Sequence, residues 1–156
     1  MLTVKILCVG KLKESFHREA MAEYQKRLQG LCKLEVVEIS ECRLPENPSQ
    51  QQINNGLASE GTQLLRRAKG KIVPMCIEGE KLSSQQMSQM LKSAMENPGS
   101  ISFVIGSSFG LSDEVKQSGR GISMSDMTFP HGLARIMLTE QIYRGLQILA
   151  GSKYHK

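Results

Sequence analysis

Residues 106–110 match the pattern Gly-x-Ser-x-Gly, with Ser108 at its centre. An apolar run precedes this segment and a helical pattern follows it, which is the setting in which a serine hydrolase places its nucleophile. Asp126 and either His131 or His155 follow in the chain order of such a catalytic triad. However, the pattern is loose, and the sheet of that class of hydrolase needs more strands than 156 residues can supply. A serine hydrolase is therefore the less favoured interpretation.

Two other kinds of site are disfavoured by the residues present. No Gly-Lys-Ser or Gly-Lys-Thr follows the loop, so it lacks the lysine and hydroxyl group of a P-loop. Asp113 and Glu114 begin the next helix, where they suit the helix dipole but would repel a phosphate group. A metal site is disfavoured because the cysteines stand far apart, with no histidine at ligand spacing. Three of them lie in or beside apolar runs, as reduced buried thiols do: Cys8, Cys32 and Cys76.

Strands and helices are predicted to alternate along the whole chain. Apolar, β-branched runs predict strands over residues 3–9, 34–39, 71–77, 101–105 and, weakly, 122–124. Helices are predicted over residues 14–28, 50–69, a segment capped by Ser83 or Ser84, a short segment from 112, and 131–150. This order predicts an α/β fold with a mostly parallel sheet and helices on both of its faces. We expect one domain over residues 1–156 and no transmembrane segment, since no run approaches the roughly 20 apolar residues of a membrane span.

Three segments are expected to meet at the edge of this sheet where its strands end. Residues 75–79 follow the third strand, residues 106–110 follow the fourth, and residues 124–130 follow the fifth. Ligands bind at the carboxyl edge of such sheets, and glycines there let the backbone approach a ligand closely. Gly79 is also expected to turn the chain after the third strand. We therefore predict one ligand pocket formed by the three segments.

The last predicted helix carries more apolar surface than one face can bury. Its main apolar stripe consists of Leu138, Ile142, Leu146 and Leu149. Apolar side chains outside that stripe are Ile136, Met137, Tyr143 and Ile148. A helix that is apolar on more than one face needs cover from more than one side, which predicts a homodimer. Glu140 and Arg144, four residues apart, form either a helical ion pair or a polar cluster at a pocket or subunit contact.

The charge of the chain favours a polyanionic partner without proving one. The formal net charge is +5 and the sequence pI is about 9.1. The last four residues combine an aromatic side chain with three potentially cationic ones and no acid. Such a tail is either a solvated terminus or a segment that stacks on a base and contacts phosphate. The start of the chain shows no signal-peptide pattern, so we expect a cytoplasmic protein.

Five segments together resemble one known family. They are V-K-I-L-C-V-G-K from Val4, F-V-I-G-S-S-F-G-L-S-D-E-V from Phe103, M-T-F-P-H from Met127, R-I-M-L-T-E-Q-I-Y-R from Arg135 and the terminal Y-H-K. Over essentially the whole chain they are similar to ribosomal large subunit methyltransferase H proteins, a family of SPOUT-class RNA methyltransferases. The resemblance implies a trefoil knot in the C-terminal half and an obligate homodimer. It also implies that S-adenosylmethionine is used to methylate N3 of a pseudouridine in helix 69 of 23S rRNA, on assembled ribosomes.

The resemblance also implies a role for particular residues. By position, the cofactor contacts are Met75, Gly106, Met124, Ser125, Asp126, Met127, Thr128 and Phe129. The base nitrogen must lose its proton, and the candidates for the catalytic group are His131, Tyr154 and His155. We do not choose among these three from the sequence. The candidates for contact with RNA phosphate are Arg135, Arg144, Lys153 and Lys156.

Two short segments depart from the residues that are usual in the family. Where the family has leucine and an acidic residue, this chain has Met75 and Cys76, with Glu78 nearby. Where the family has two glycines, this chain has Gly106 and Ser107, so that an additional Cβ lies close to the expected cofactor. The alternative function is therefore a noncatalytic dimer that binds RNA or the ribosome after its cofactor pocket has drifted.

Overall fold

Strands and helices alternate strictly in the computed structural model, which describes all residues from Met1 to Lys156. The strands are β1 (Thr3–Val9), β2 (Lys33–Ile39), β3 (Lys71–Lys81), β4 (Ser100–Ile105) and β5 (Ile122–Ser123). The helices are α1 (Ser15–Leu28), α2 (Gln50–Arg67), α3 (Ser84–Glu96), α4 (Asp113–Lys116) and α5 (His131–Leu149). The order and type of the elements are those predicted from the sequence.

The five strands form one sheet in which every neighbouring pair is parallel. Their spatial order is β2-β1-β4-β3-β5, so β4 occupies the middle of the sheet. Thr3 at the start of β1 lies opposite Lys33 on one side and Ser100 on the other. The predicted α/β class is confirmed, and the sheet is entirely parallel. All carboxyl ends of the strands therefore point to the same edge.

Apolar side chains cover both faces of the sheet. On one face, α1, α3 and α5 pack on a cluster that includes Ile6 of β1 and Phe103 of β4. On the other face, Leu64 of α2 packs on a cluster that includes Leu7 and Val104. Successive side chains of a strand point to opposite faces, so neighbouring residues contribute to different clusters. Because both faces are covered, every residue of β4 is buried, including Ser100 and Ser102.

Strand β3 continues past its predicted end at residue 77, and the prediction that Gly79 turns the chain is wrong. Strand β5 lies against this extension and pairs Ile122 with Glu80 after a shift in register. A Cβ atom on Gly79 would lie 2.6 Å from the carbonyl carbon of Ile122. Gly79 therefore permits two backbones to approach closely inside a sheet. A glycine in a sequence does not distinguish this role from that of a turn.

The amino ends of α2 and α3 are fixed by the same capping arrangement. The hydroxyl group of Ser83 accepts a hydrogen bond from the backbone N–H of Gln86, and the Gln86 side chain accepts one from the backbone N–H of Ser83. Ser49 and Gln52 form the corresponding pair at the start of α2. Of the two serines predicted to cap α3, Ser83 is the cap.

Helix α1 packs on the sheet through its middle and its end, while Phe16 at its start stays exposed. Phe16 is 62% exposed, whereas Met21 and Leu28 are buried against the sheet. Phe16 lies in the first turn of the helix, where its ring contacts that of the neighbouring His17. Met21, in the second turn, lies in the core together with Leu28. Neither α1 nor any other helix is long and apolar enough to cross a membrane.

The four cysteines are all free thiols. Cys8 and Cys32 are buried, as predicted, and burial raises the pKa of Cys8 to about 12 and that of Cys32 to about 11. Cys76 is only half-buried, because it lies beyond the last β3 residue that pairs with β4. The prediction of a buried thiol is therefore right for two positions and wrong for Cys76.

Candidate functional site

A cavity of about 770 Å³ lies at the carboxyl edge of the sheet, where β3, β4 and β5 meet their loops. Its walls come from residues 75–78, 105–111, 122–125 and 127–131, together with Lys116 and Ala134. The three strand-end segments singled out in the sequence thus lie around one space. They do so because parallel strands in adjacent positions deliver their loops to the same edge.

Of the eight residues that the family resemblance assigns to a cofactor, seven line this cavity. They are Met75, Gly106, Met124, Ser125, Met127, Thr128 and Phe129. Asp126 does not line it, and its carboxylate lies 2.8 Å from the Nζ of Lys81 at the exposed end of β3. A direct cofactor contact by Asp126 is therefore not what the structure shows. The ion pair instead ties the turn at 124–128 to β3.

The loop after β4 is a tight turn that closes on itself. The backbone N–H of Gly110 donates to the carbonyl oxygen of Ser107 over 2.9 Å, and the N–H of Phe109 donates to the Ser107 hydroxyl oxygen over 3.3 Å. Gly110 has a φ of +88°, a conformation that favours glycine. A Cβ atom on Gly106 would overlap the carbonyl group of Gly110. Glycine is thus required at both ends of this wall.

The segment after β5 is a second turn held by serine side chains. The Ser123 hydroxyl donates to the carbonyl oxygen of Ser125 over 2.9 Å, and the Ser125 hydroxyl accepts from the N–H of Met127 over 3.0 Å. The side chain of Met127 is 74% exposed at the mouth of the cavity. These local hydrogen bonds fix the backbone that faces the cavity.

An ion pair that the sequence did not indicate lies in the cavity wall. The Nζ of Lys116 is 2.6 Å from the carboxylate of Glu78. The hydrogen bond from Lys116 lowers the pKa of Glu78, and the same bond raises the pKa of Lys116. Burial, together with the nearby Glu78 charge, raises the pKa of the Cys76 thiol. Since the two charges compensate, the cavity wall is close to neutral.

The candidate serine triad is not assembled. Ser108 and His131 both line the cavity, but no hydrogen bond joins Ser108 to a histidine. Asp126 pairs with Lys81, and His155 lies in the C-terminal tail. The geometry therefore gives no support to a serine hydrolase.

The C-terminal tail is docked on α5 rather than frayed. Arg144 donates from Nε to the Glu140 carboxylate over 2.7 Å and from Nη1 to Nδ1 of His155 over 3.2 Å. Its guanidinium carbon also lies 4.8 Å from the centroid of the Tyr154 ring, which packs edge-on against Tyr143. The Glu140–Arg144 pair is thus an ion pair that also holds the tail. Neither Tyr154 nor His155 lines the cavity of its own chain.

The structure corrects the assignment of Arg135 to RNA phosphate. The Arg135 side chain is 2% exposed, with Nη1 2.6 Å from the Glu38 carboxylate and Nη2 3.2 Å from the carbonyl oxygen of Gly10. Its Nε is buried without a partner. A guanidinium enclosed in this way has no access to a phosphate on a second molecule. Lys153 and Lys156, by contrast, are exposed.

Comparison with known proteins identifies the family. The family model described as "Predicted SPOUT methyltransferase" matches residues 2–155. Proteins named ribosomal RNA large subunit methyltransferase H are 43% identical in Pediococcus pentosaceus, 40% in Leuconostoc mesenteroides and 39% in Oenococcus oeni. These alignments cover 99%, 99% and 100% of this chain and 100% of each relative. The chain belongs to the methyltransferase H family.

Solved structures agree with the methyltransferase H chain in fold. The crystal structure of TrmJ from Z. mobilis ZM4 gives a TM-score of 0.55 at 14% identity, over 93% of this chain and 70% of that one. A protein described as a "probable methylase family protein" from Haemophilus influenzae gives 0.51 at 8% identity, over 97% of this chain and 67% of that one. At such low identity the likeness concerns the arrangement of strands and helices alone.

Proposed function

We propose that this methyltransferase H chain transfers a methyl group from S-adenosylmethionine to N3 of a pseudouridine in helix 69 of 23S rRNA, on assembled ribosomes in the cytoplasm. The observation that carries the proposal is one cavity formed by the three strand-end segments, in a chain that aligns from end to end with ribosomal RNA methyltransferases. The net charge of +5 suits an RNA substrate.

The cavity fits S-adenosylmethionine in size and in chemistry. Its volume of about 770 Å³ is that of a small-molecule site, for which roughly 300–1,000 Å³ is usual. Met75, Ile77 and Phe129 offer apolar walls to an adenine ring, and the backbone of the two turns offers hydrogen bonds. The residues proposed to hold the cofactor are Met75, Gly106, Met124, Ser125, Met127, Thr128 and Phe129. Asp126 would act indirectly, by fixing the turn through Lys81.

For this reaction the protein must align the methyl group with N3 and remove the N3 proton. When bound, S-adenosylmethionine would supply an electrophilic methyl group for N3, and N3 must pass its own proton to a group of the protein. The residues of the cavity wall would hold the two reacting atoms in line, and such alignment supplies much of the rate. His131 lines the cavity, which supports it as the group that would accept the proton. Tyr154 and His155 lie outside the cavity of their own chain, so they would act in that of a second subunit.

We also propose that the chain works as an obligate homodimer. A groove of about 490 Å³ beside α5 is lined by Met124, Ile136 and Met137, and Leu133 at the start of the same helix is 38% exposed. A second copy would cover this apolar surface. We expect sedimentation equilibrium to give twice the chain mass of 17.3 kDa, whereas a monomer at micromolar concentration would contradict the dimer.

The resemblance to the family also leads us to propose a C-terminal trefoil knot and one domain over residues 1–156. A knot passes part of the chain through a loop of the rest, which is rare among folds. We expect limited proteolysis to cut no stable fragment from the folded protein. A stable core released by one internal cut would contradict the single domain.

The test of the proposed reaction uses ribosomes from cells that lack the methyl group. We expect label from methyl-labelled S-adenosylmethionine to enter 23S rRNA in one position of helix 69. Ribosomes that already carry the methyl group are the control and should take up none. Absence of label from 23S rRNA with the first ribosomes would contradict the proposed reaction.

The changes at Cys76 and Ser107 are the observation that favours the alternative, a noncatalytic dimer that binds RNA or the ribosome. Against it, the Ser107 hydroxyl oxygen accepts from Phe109 within its own loop, so this side chain is engaged there. Calorimetry with S-adenosylmethionine separates the two functions. We expect saturable binding at micromolar to submillimolar concentrations, and no binding at millimolar concentration would contradict the methyltransferase function and favour the alternative.

A further inference from the structure

Several cations near the cavity are already paired within the chain. Lys116 is paired with Glu78, and Lys81 with Asp126. Arg135, at the start of α5, is buried against Glu38. Their charges are compensated, and Arg135 is out of reach. The cations that contact an RNA strand near the cavity must therefore be other residues of the protein.

Two unpaired lysines lie on the loop that follows β1. Lys11 and Lys13 are both exposed, and neither takes part in an ion pair of the chain. Strand β1 is the parallel neighbour of β4, so its loop leaves the sheet at the same edge as residues 106–110. One wall of the cavity and the two lysines therefore come from adjacent strands.

The same loop packs against the first turn of α5, which is part of the cavity wall. A Cβ atom on Gly132 would lie 3.4 Å from Cδ2 of Leu12 and 2.9 Å from Nδ1 of His17. Leu12 separates the two lysines in the sequence, and His131, next to Gly132, lines the cavity. The lysines thus flank a residue that contacts the rim of the cavity.

The backbone of this loop is held in place by two arginines. Arg135 donates to the carbonyl oxygen of Gly10, and Arg18 donates to those of Leu12 and Lys13 over 3.1 and 2.6 Å. These bonds fix three carbonyl groups of the loop, while neither lysine ammonium group forms a hydrogen bond or an ion pair within the chain. A loop fixed before binding loses less conformational entropy when it contacts a ligand.

We propose that Lys11 and Lys13 bind the phosphate backbone of the RNA substrate beside the cavity, and that Arg135 positions the loop that carries them. The proposal rests on the proposed function, since the RNA is the substrate named there. Exposed ammonium groups attract phosphate as point charges, and each phosphate neutralised releases a bound counterion. Contact at this loop would orient the strand without reading its sequence.

The test compares ribosome binding by the full-length wild type, K11Q/K13Q and K69Q/K92Q. Lys69 and Lys92 are also exposed and unpaired, but they lie before β3 and on α3, away from this edge of the sheet. Both double variants lose two positive charges, so their net charges match. Fluorescently labelled protein is titrated with ribosomes that lack the methyl group, over a series of KCl concentrations. Calorimetry measures the affinity of each variant for S-adenosylmethionine.

We expect K11Q/K13Q to bind these ribosomes about tenfold more weakly than the wild type. The slope of log Kd against log salt should be smaller by about 1.4 to 1.8 for this variant. For K69Q/K92Q we expect neither the affinity nor the slope to change. Affinity for S-adenosylmethionine should stay within about twofold of the wild type in both, which also shows that the variants fold. An unchanged slope in K11Q/K13Q, or an equal loss in both variants, would overturn the inference. If the wild type itself binds no ribosomes, the proposed function fails instead.

Discussion

Arg135 shows how strongly burial changes what a charged side chain does. Replacing it in R135M keeps an unbranched apolar stem but removes the donors to Gly10 and to Glu38. Removing one partner of a buried ion pair costs about 3–5 kcal/mol. Because the Glu38 side chain is 35% exposed, we expect about 2–3 kcal/mol to be lost from the free energy of unfolding in urea.

Arg66 provides the control for this prediction. It is exposed in the last turn of α2 and forms no ion pair, so R66M should change the free energy of unfolding by less than about 0.5 kcal/mol. If R135M were as stable as R66M, the buried pair would contribute nothing to the fold. The loop that carries Lys11 and Lys13 would then need another explanation for its position.

Glu60 is a buried carboxyl group, and we expect it to make the stability of the fold depend on pH. It is 4% exposed, Oε2 accepts from the backbone N–H of Cys42 over 2.8 Å, and Oε1 has no hydrogen-bond partner. Burial raises the pKa of Glu60, and the charge of Glu41 adds to the rise. The Cys42 N–H and the nearby Ser107 hydroxyl oppose it.

The sign of the effect on stability follows from that raised pKa. The folded state binds the proton more tightly than the unfolded state does. The contribution of Glu60 to the free energy of unfolding is therefore greatest below the ordinary pKa of 4.5, and it is lost as the pH rises through the pKa of the folded state. E60Q resembles the protonated form, so its Tm should rise relative to the wild type as the pH increases from 4 to 7. The exposed Glu96 gives the control, since the Tm difference for E96Q should not change with pH. A flat difference for E60Q would contradict the raised pKa.

The close contact between β3 and β5 leaves no room for a side chain at Gly79. In G79A the new Cβ would meet backbone atoms of Gly121 and Ile122, which cannot rotate away as a side chain can. We expect a loss of about 1–3 kcal/mol in the free energy of unfolding. We also expect weaker binding of S-adenosylmethionine, because β5 leads directly into residues 124–129.

Gly56 of α2 gives the matched control. A Cβ atom there would lie 3.4 Å from Cδ2 of Leu44, an ordinary van der Waals contact, and alanine favours the helix by up to about 1 kcal/mol. G56A should therefore be as stable as the wild type or more so. Equal stability of G79A and G56A would show that β5 can move away from β3 without cost.

The elements that the sequence could predict are those specified by their own residues. In β1, β4 and α5 the pattern of apolar residues follows from which side chains the element buries. Their predicted positions agree with the structure to within a residue. The two-residue β5 and the end of β3 depend instead on pairing between distant segments. The positions of Asp126 and Arg135 depend likewise on partners 45 and 97 residues away, Lys81 and Glu38. No local pattern encodes such contacts, so resemblance to a family placed these residues in the site but did not give their partners.

The cavity and the C-terminal tail occupy different parts of the folded chain. His131 lines the cavity, whereas Tyr154 and His155 are held on α5 by Arg144 and by Gln85 of α3. In a dimer with twofold symmetry, each surface of one subunit is repeated on the other. We propose that the tail of one subunit completes the cavity of its partner. Deleting residues 154–156 should then abolish methyl transfer while sparing dimerisation, as activity assays and sedimentation would show.

A mixture of two defective subunits tests whether the tail acts across the dimer. One lacks residues 154–156, and the other carries G106A, which distorts the cavity wall because its Cβ overlaps the carbonyl group of Gly110. Each is expected to be inactive alone. After denaturation and refolding together at equal concentrations, half of the dimers are mixed, and in each of these one intact cavity faces one intact tail. If the tail acts across the dimer, about a quarter of the wild-type activity should return, since only one site in each mixed dimer is complete. If the tail serves the cavity of its own chain, no mixed dimer contains a complete site, and the mixture should stay as inactive as its components.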